Sequence, residues 1–124
     1  MSKGIILVCD NDTDEVFTLQ EGLKSEGFEV IVIQQATELV ATASNLKPTA
    51  VIANPDMKGF NEYDVCKHIK QKLNLPVLLL IDRNSTARST IGDCTADDVI
   101  SKPVQSIGNI TTLILKHKTL YQQK

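Results

Sequence analysis

The sequence predicts a three-layer α/β domain in which helices cover both faces of a five-stranded parallel sheet. Three observations carry that reading. Continuous apolar runs such as Ile5-Ile6-Leu7-Val8-Cys9 and Val77-Leu78-Leu79-Leu80-Ile81 have the length and character of strands buried on both faces. Segments of helical periodicity separate these runs, and strands alternating with helices make a parallel sheet. The run Ala50-Val51-Ile52-Ala53 stops abruptly at Asn54-Pro55-Asp56-Met57-Lys58-Gly59, which delivers one polar side chain to the carboxyl end of a central strand. In open sheets of this class chemistry gathers at those ends, so Asn54 stands at the centre of whatever the domain does.

The elements follow in order. The first strand, 5–9, ends at Asp10-Asn11-Asp12. Asp12, with Glu15 three residues on, is a capping signal for a helix that carries Val16, Leu19 and Leu23 on one face. Gly27 is its left-handed stop, and 29–33 forms the second strand. Leu39, Val40, Ala43 and Leu46 mark a helix over 36–46, ended by Lys47-Pro48. After the third strand, Asn61 caps a helix bearing Val65, Cys66 and Ile69, and Pro76 opens the fourth strand, 77–81. The polar stretch 82–95 has weak periodicity and predicts at most a short helix. Val99-Ile100 is a brief fifth strand. Ser106 caps a last helix with Ile107, Ile110, Leu113, Ile114 and Leu120 inward, and Gly108 weakens its first turn by roughly 1 kcal/mol relative to Ala. The flavodoxin-like strand order 2-1-3-4-5 is the small version of this architecture.

A chain of 124 residues suits one domain with a real core. Its net charge of −2, without a basic block, argues against nucleic acid or an anionic membrane as partner. No apolar run is long enough to cross a bilayer, and Met1-Ser2-Lys3-Gly4 leads straight into a strand, which leaves no room for a signal peptide. Cys9, Cys66 and Cys94, odd in number and without paired spacing, point to reduced thiols and a cytoplasmic location. Cys9 and Cys66 fit as small core hydrophobes, and Cys94, in a polar stretch, is the one candidate for an exposed, reactive thiol. His68 and His117 each stand alone, so metal-ligand spacing is lacking.

Three strand ends converge at the top of the sheet: Asp10-Asn11-Asp12, Asn54, and Lys102 beyond the fifth strand, with Ile81 ending the fourth beside them. The first loop is acidic and lacks glycine, so it cannot cradle a phosphate as a nucleotide-binding loop does. Over essentially its full length the chain resembles a bacterial response-regulator receiver domain. The resemblance is carried by Ile6-Leu7-Val8-Cys9-Asp10-Asn11-Asp12, the segment 48–59, Leu75-Pro76-Val77, and Ala96-Asp97-Asp98-Val99-Ile100-Ser101-Lys102-Pro103, in that order. It implies a domain that takes a phosphoryl group from a histidine kinase onto an Asp ending the third strand. An acidic pair after the first strand holds Mg²⁺, and a Lys after the fifth contacts the phosphoryl group. A Thr or Ser ending the fourth strand and an aromatic on the fifth relay the change. Carried over to this chain, Asp10 and Lys102 remain. The phosphoacceptor position is Asn54, the second acid Asn11, the hydroxyl position Ile81 and the aromatic position Val99.

Each departure has a chemical consequence. An amide forms no acyl phosphate. Asn11 lacks the carboxylate that Mg²⁺ takes as ligand. Ile81 cannot hydrogen-bond a phosphoryl oxygen, and Val99 is too small to report its position by swinging. Four departures together make a natural pseudo-receiver a simpler reading than a single engineered trap. The expectation is an interaction module of two-component-type signalling that works without phosphorylation and is not an enzyme. It has no catalytic residue and no cofactor, and its vestigial pocket of Asp10, Asn11 and Asp12 binds Mg²⁺ weakly or not at all. Its protein partner docks on the face of the fourth helix, fifth strand and fifth helix. Lys102 is expected to be a structural cation held by Asp10 and the amide oxygen of Asn54, and the resemblance implies a cis peptide at Lys102-Pro103. Asp97-Asp98 reads as a solvated turn, and Phe60 and Tyr63 as partly packed rather than interface anchors. Two readings compete: a phosphotransfer receiver using Asp10, Asp12 or Asp56, and a small-ligand sensor using the vacated pocket. Partner, pathway and oligomeric state stay open, and the sequence is compatible with a domain taken from a longer signalling protein.

Overall fold

The apolar runs become the strands of one sheet. The computed structural model describes residues 3–60, 62–82 and 96–123, with the backbone alone for 62–64. Strands β1 (Ile5–Cys9), β2 (Glu29–Ile33), β3 (Ala50–Ala53), β4 (Val77–Asp82) and β5 (Asp98–Lys102) lie in the order β2-β1-β3-β4-β5. Every neighbouring pair is parallel, as expected. Helices α1 (Thr13–Ser25), α2 (Leu39–Leu46), α3 (Glu62–Lys67) and α4 (Ile107–Gln122) are the α-helices among the described residues, and α4 is the last helix of the chain. Most of the stretch with weak helical signal, together with Cys94 and the cap Asn61, falls outside the described residues.

Successive strand side chains point to opposite faces, and both faces are covered. On one, Leu7, Val51, Leu79 and Ile81 pack with Leu39 and Ala43 of α2 and with Ile69. On the other, Ile6, Ile52 and Leu78 pack with Leu19 and Leu23 of α1 and with Ile110 and Ile114 of α4. Burying one such side chain is worth about 1.5–3 kcal/mol, so these clusters outweigh any single polar contact described below. Helices α1 and α4 approach at Gly22, where an added Cβ would come within 2.4 Å of Ile107 Cγ1. Cys9 and Cys66 are buried, as expected. Burial first, then the charges of Asp10 and Glu38, push the Cys9 thiol up to about 12.

Helix boundaries follow their caps. Asp12 accepts from the Glu15 backbone N–H at 3.4 Å, and Gly27 turns the chain at φ +99°. Ser106 caps α4 by accepting from the Asn109 N–H at 3.2 Å. The expected helix over 36–46 begins as a 3₁₀ turn, Ala36–Glu38, and α3 widens into a π turn, His68–Lys72. β4 extends one residue further than expected, to Asp82. β5 runs from Asp98 to Lys102, so Lys102 closes the strand instead of lying beyond it.

Two expectations are corrected. Leu120 is 46% exposed, and the inner stripe of α4 runs through Ile110, Ile114, His117 and Tyr121. These positions keep the helical period, and the two polar members are satisfied from the strand side. Nor are Asp97 and Asp98 a solvated turn. Asp97 accepts from the Val77 N–H at 2.8 Å and the Tyr121 hydroxyl at 2.9 Å, and lies 3.6 Å from Lys70 Nζ. Asp98 Oδ2 stands 3.3 Å from His117 Nε2. The β4–β5 pairing sets this up, because the Asp97 N–H donates to the Val77 carbonyl at 2.8 Å and so carries the carboxylate to the start of β4. Burial, then Asp97, raises the Tyr121 hydroxyl above its ordinary pKa. Phe60 is partly packed against the α2-side cluster, whereas the side chain of Tyr63 lies outside the described residues.

Candidate functional site

The carboxyl ends of β1, β3 and β5 bring Asp10, Asn54 and Lys102 together. The Asn54 N–H donates to the Cys9 carbonyl at 2.9 Å, carrying the β1–β3 ladder one residue past the strand. Its side-chain oxygen then accepts from the Asp56 N–H at 2.9 Å. That turn aims the Asn54 Nδ2 at Asp10 Oδ1, to which it donates at 3.0 Å.

Asp10 is fully buried. Its Oδ1 also accepts from the backbone N–H groups of Asn11 at 2.8 Å and Asp12 at 3.3 Å. Oδ2 faces the Lys102 ammonium, 2.9 Å away. Lys102 is 8% exposed, and Asp12 Oδ2 lies 3.5 Å from its Nζ. Burial acts to lower the pKa of this ammonium, but Asp10 first and Asp12 second outweigh it, and the net direction is upward from 10.5.

The geometry corrects one expected contact. The Asn54 amide oxygen turns to the Asp56 N–H and makes no hydrogen bond to Lys102. The second oxygen at the ammonium comes from Asp12. Lys102-Pro103 is cis. Asn11 enters through its backbone, and Asp56 is exposed at the rim. Ile81 is buried and Val99 half-buried, both packed into the α2-side cluster beneath the site.

Two residues to which sequence reasoning gave no part in the site belong here. Glu15 does not close a capping box; its Oε2 accepts from the Val104 N–H at 3.2 Å and ties α1 to the segment after Pro103. The spacing that suggested a cap gave no hint of this partner. Asp82 ends β4 opposite Lys102 in register and, with Asp12 and Glu15, rims a hollow of about 420 Å³. Its position directly after an apolar run was the available signal. Beside the site, between β5 and α4, runs a groove of about 390 Å³ lined by residues that include Val99, Ser101, Pro103, Asn109 and Leu113.

The response regulator receiver domain family matches residues 6–114. Over 99 residues the chain is 31% identical to the DNA-binding response regulator MtrA of Mycolicibacterium paratuberculosis, covering 79% of this chain and 44% of that protein. Over 125 residues it is 33% identical to the transcriptional regulatory protein YrkP of Bacillus subtilis, covering 96% and 52%. The chain spans about half the length of these curated relatives. Among solved structures, the signal receiver domain of a modulated diguanylate cyclase from Desulfovibrio desulfuricans G20 matches with a TM-score of 0.84 at 16% identity, covering 97% of both chains. Full-length FixJ from B. japonicum matches with a TM-score of 0.83 at 22% identity, covering 98% of this chain and 61% of that one. At these identities the likeness shows the fold. No helix among the described residues is long and apolar enough to cross a membrane. The family match over most of the sequence, on a fold with the same strand order, places this chain in the response regulator receiver domain family of two-component signalling.

Proposed function

We propose that this receiver domain acts without phosphorylation, as a protein-binding module of two-component signalling. The observation that carries the reading is the amide at the end of β3. Asn54 spends its N–H on Asp10 and its oxygen on the Asp56 N–H, and an amide in that position offers no carboxylate to phosphorylate. Around it, Asp10 and Lys102 compensate each other's charge, and the expected hydroxyl and aromatic positions hold Ile81 and Val99.

Mg²⁺ does not fit this donor set. It binds through anionic oxygens in near-octahedral geometry, whereas Asp10 and Asp12 already face the Lys102 ammonium and Asn54 turns its N–H toward the pocket. Among the described residues no three His, Cys, Asp or Glu side chains come together as a metal-binding group. The reading gives Mg²⁺ no part in this pocket. The protein partner is assigned to the face carrying the β5–α4 groove. DNA binding belongs to the description of MtrA, and none is assigned to this domain.

The test is an amide NMR spectrum of the labelled domain, recorded before and after Mg²⁺ and then beryllofluoride, which mimics a phosphoryl group on a receiver Asp. An unchanged spectrum is expected. Saturable shifts spreading from residues 10–12 and 54–56 to 99–102 would mean that Asp10, Asp12 or Asp56 substitutes as acceptor, and the reading would fall.

A further inference from the structure

We infer that the free edge of β2 is a self-association surface, on which two copies of this chain pair antiparallel about a two-fold axis through Ile31. β2 is one edge of the sheet, paired with β1 alone. The ladder fixes which of its backbone groups are used. The Glu29 N–H donates to the Gly4 carbonyl at 2.9 Å, and the Ile33 carbonyl accepts from the Asp10 N–H at 3.1 Å. In a parallel ladder, residues turn both groups toward the partner strand at every second position. Glu29, Ile31 and Ile33 therefore bond to β1, while Val30 and Val32 turn N–H and C=O outward, with no partner among the described residues.

That phase is self-complementary. In an antiparallel pair, a hydrogen-bonded position needs two residues that both face the other strand. A two-fold axis through Ile31 sets Val30 of one copy opposite Val32 of the other, and both satisfy this. Ile31, 37% exposed, then meets its own copy at the non-hydrogen-bonded position, where Cα atoms approach to about 4.5 Å. The charge pattern agrees. Glu29, the one charged residue of the strand, faces Ile33 of the other copy. It lies four positions from its own counterpart, about 14 Å at the rise of an extended chain and beyond the Debye length of about 8 Å.

Natural edges are usually blunted by Pro, Lys or a bulge. Val30-Ile31-Val32-Ile33 has neither residue, keeps regular pairing with β1, and is β-branched throughout. A groove of about 500 Å³ beside the edge offers Gln34 and Gln35 as neutral hydrogen-bonding groups, and Glu38 on its wall keeps a like charge on each copy. Pairing through one five-residue strand belongs with small, reversible interfaces, below about 1,200 Å² in total. β5 lies at the opposite edge of the sheet, so this pairing leaves the β5–α4 groove open and does not depend on the proposed function.

Sedimentation equilibrium from micromolar to near-millimolar concentration tests the inference on the native chain, Val32→Pro and Ile31→Lys. Proline at 32 removes an N–H that the monomer does not use and is tolerated on edge strands. Circular dichroism melts at low concentration report whether each variant folds. The native chain is expected to dimerise reversibly, with at least a tenfold higher dissociation constant in both variants. Amide exchange at Val30 and Val32 should slow as concentration rises, a change no role inside the monomer would produce. A native chain that stays monomeric, a dimer unaffected by both variants, or aggregation without a discrete dimer would overturn the inference.

Discussion

Lys102→Met is the most informative perturbation of the site. The substitution keeps most of the stem volume and removes the ammonium 2.9 Å from Asp10 Oδ2. Two unit charges at that separation attract by about 6 kcal/mol at an effective dielectric near 20, and removing one partner of a buried pair typically costs about 3–5 kcal/mol. Asp10 keeps its hydrogen bonds from Asn11, Asp12 and Asn54 on Oδ1, which places the expected loss near the lower end, about 3 kcal/mol. For a chain of this length that is a fall in Tm of about 12 °C. The assay is urea unfolding followed by circular dichroism, with Asp10→Asn/Lys102→Met as companion. The companion removes the stranded charge and should recover to within about 1 kcal/mol of the native chain. A loss below about 1 kcal/mol would class the pair with solvated surface ion pairs and refute the reasoning. So would a companion no more stable than the single variant.

Three further outcomes follow from the same geometry. Asp97→Ala strands the Val77 N–H and should cost about 1–3 kcal/mol in urea unfolding, whereas a solvated turn would cost almost nothing. Gly22→Ala gains up to about 1 kcal/mol in helix propensity but drives its Cβ into the stiff Ile107 side chain, and overpacking of about 1–3 kcal/mol wins, so the variant melts below the native chain. Cys9, Tyr121 and Lys102 all have pKa values raised by folding, from 9.0, 10.0 and 10.5. Each contributes fully below its unfolded value and loses that contribution as pH rises through the folded one, so melts should hold steady to about pH 9 and fall beyond it, less steeply in Tyr121→Phe.

The strands were legible because sheets buried on both faces write themselves as unbroken apolar runs, and β1 and β3 begin and end where those runs do. The meeting of Asp10, Asn54 and Lys102 was legible for a related reason, since strand ends in a parallel sheet share one rim. The direction of the Asn54 amide was not. It depends on an N–H two residues on in the loop, and on Asp10 needing a donor, which local pattern does not encode. Asp97 was misread because two adjacent carboxylates suggest solvent, and only the β4–β5 register reveals the N–H waiting at Val77. In α4 the error was one of weighting. The stripe through Ile110 and Ile114 continues to His117 and Tyr121, but side-chain polarity pulled the reading toward Leu120, which the period leaves outside.

β5 is fastened at both ends. At its start Asp97 and Asp98 join Tyr121 and His117, and at its finish Lys102 is drawn into the buried pair with Asp10. A strand held this way resists displacement at both of its ends. Under the proposed function, a partner docking on this face would therefore lose little affinity to recruiting a minor conformer. Discrimination then rests on fit, and partners differ chiefly in how long they stay rather than in how fast they arrive.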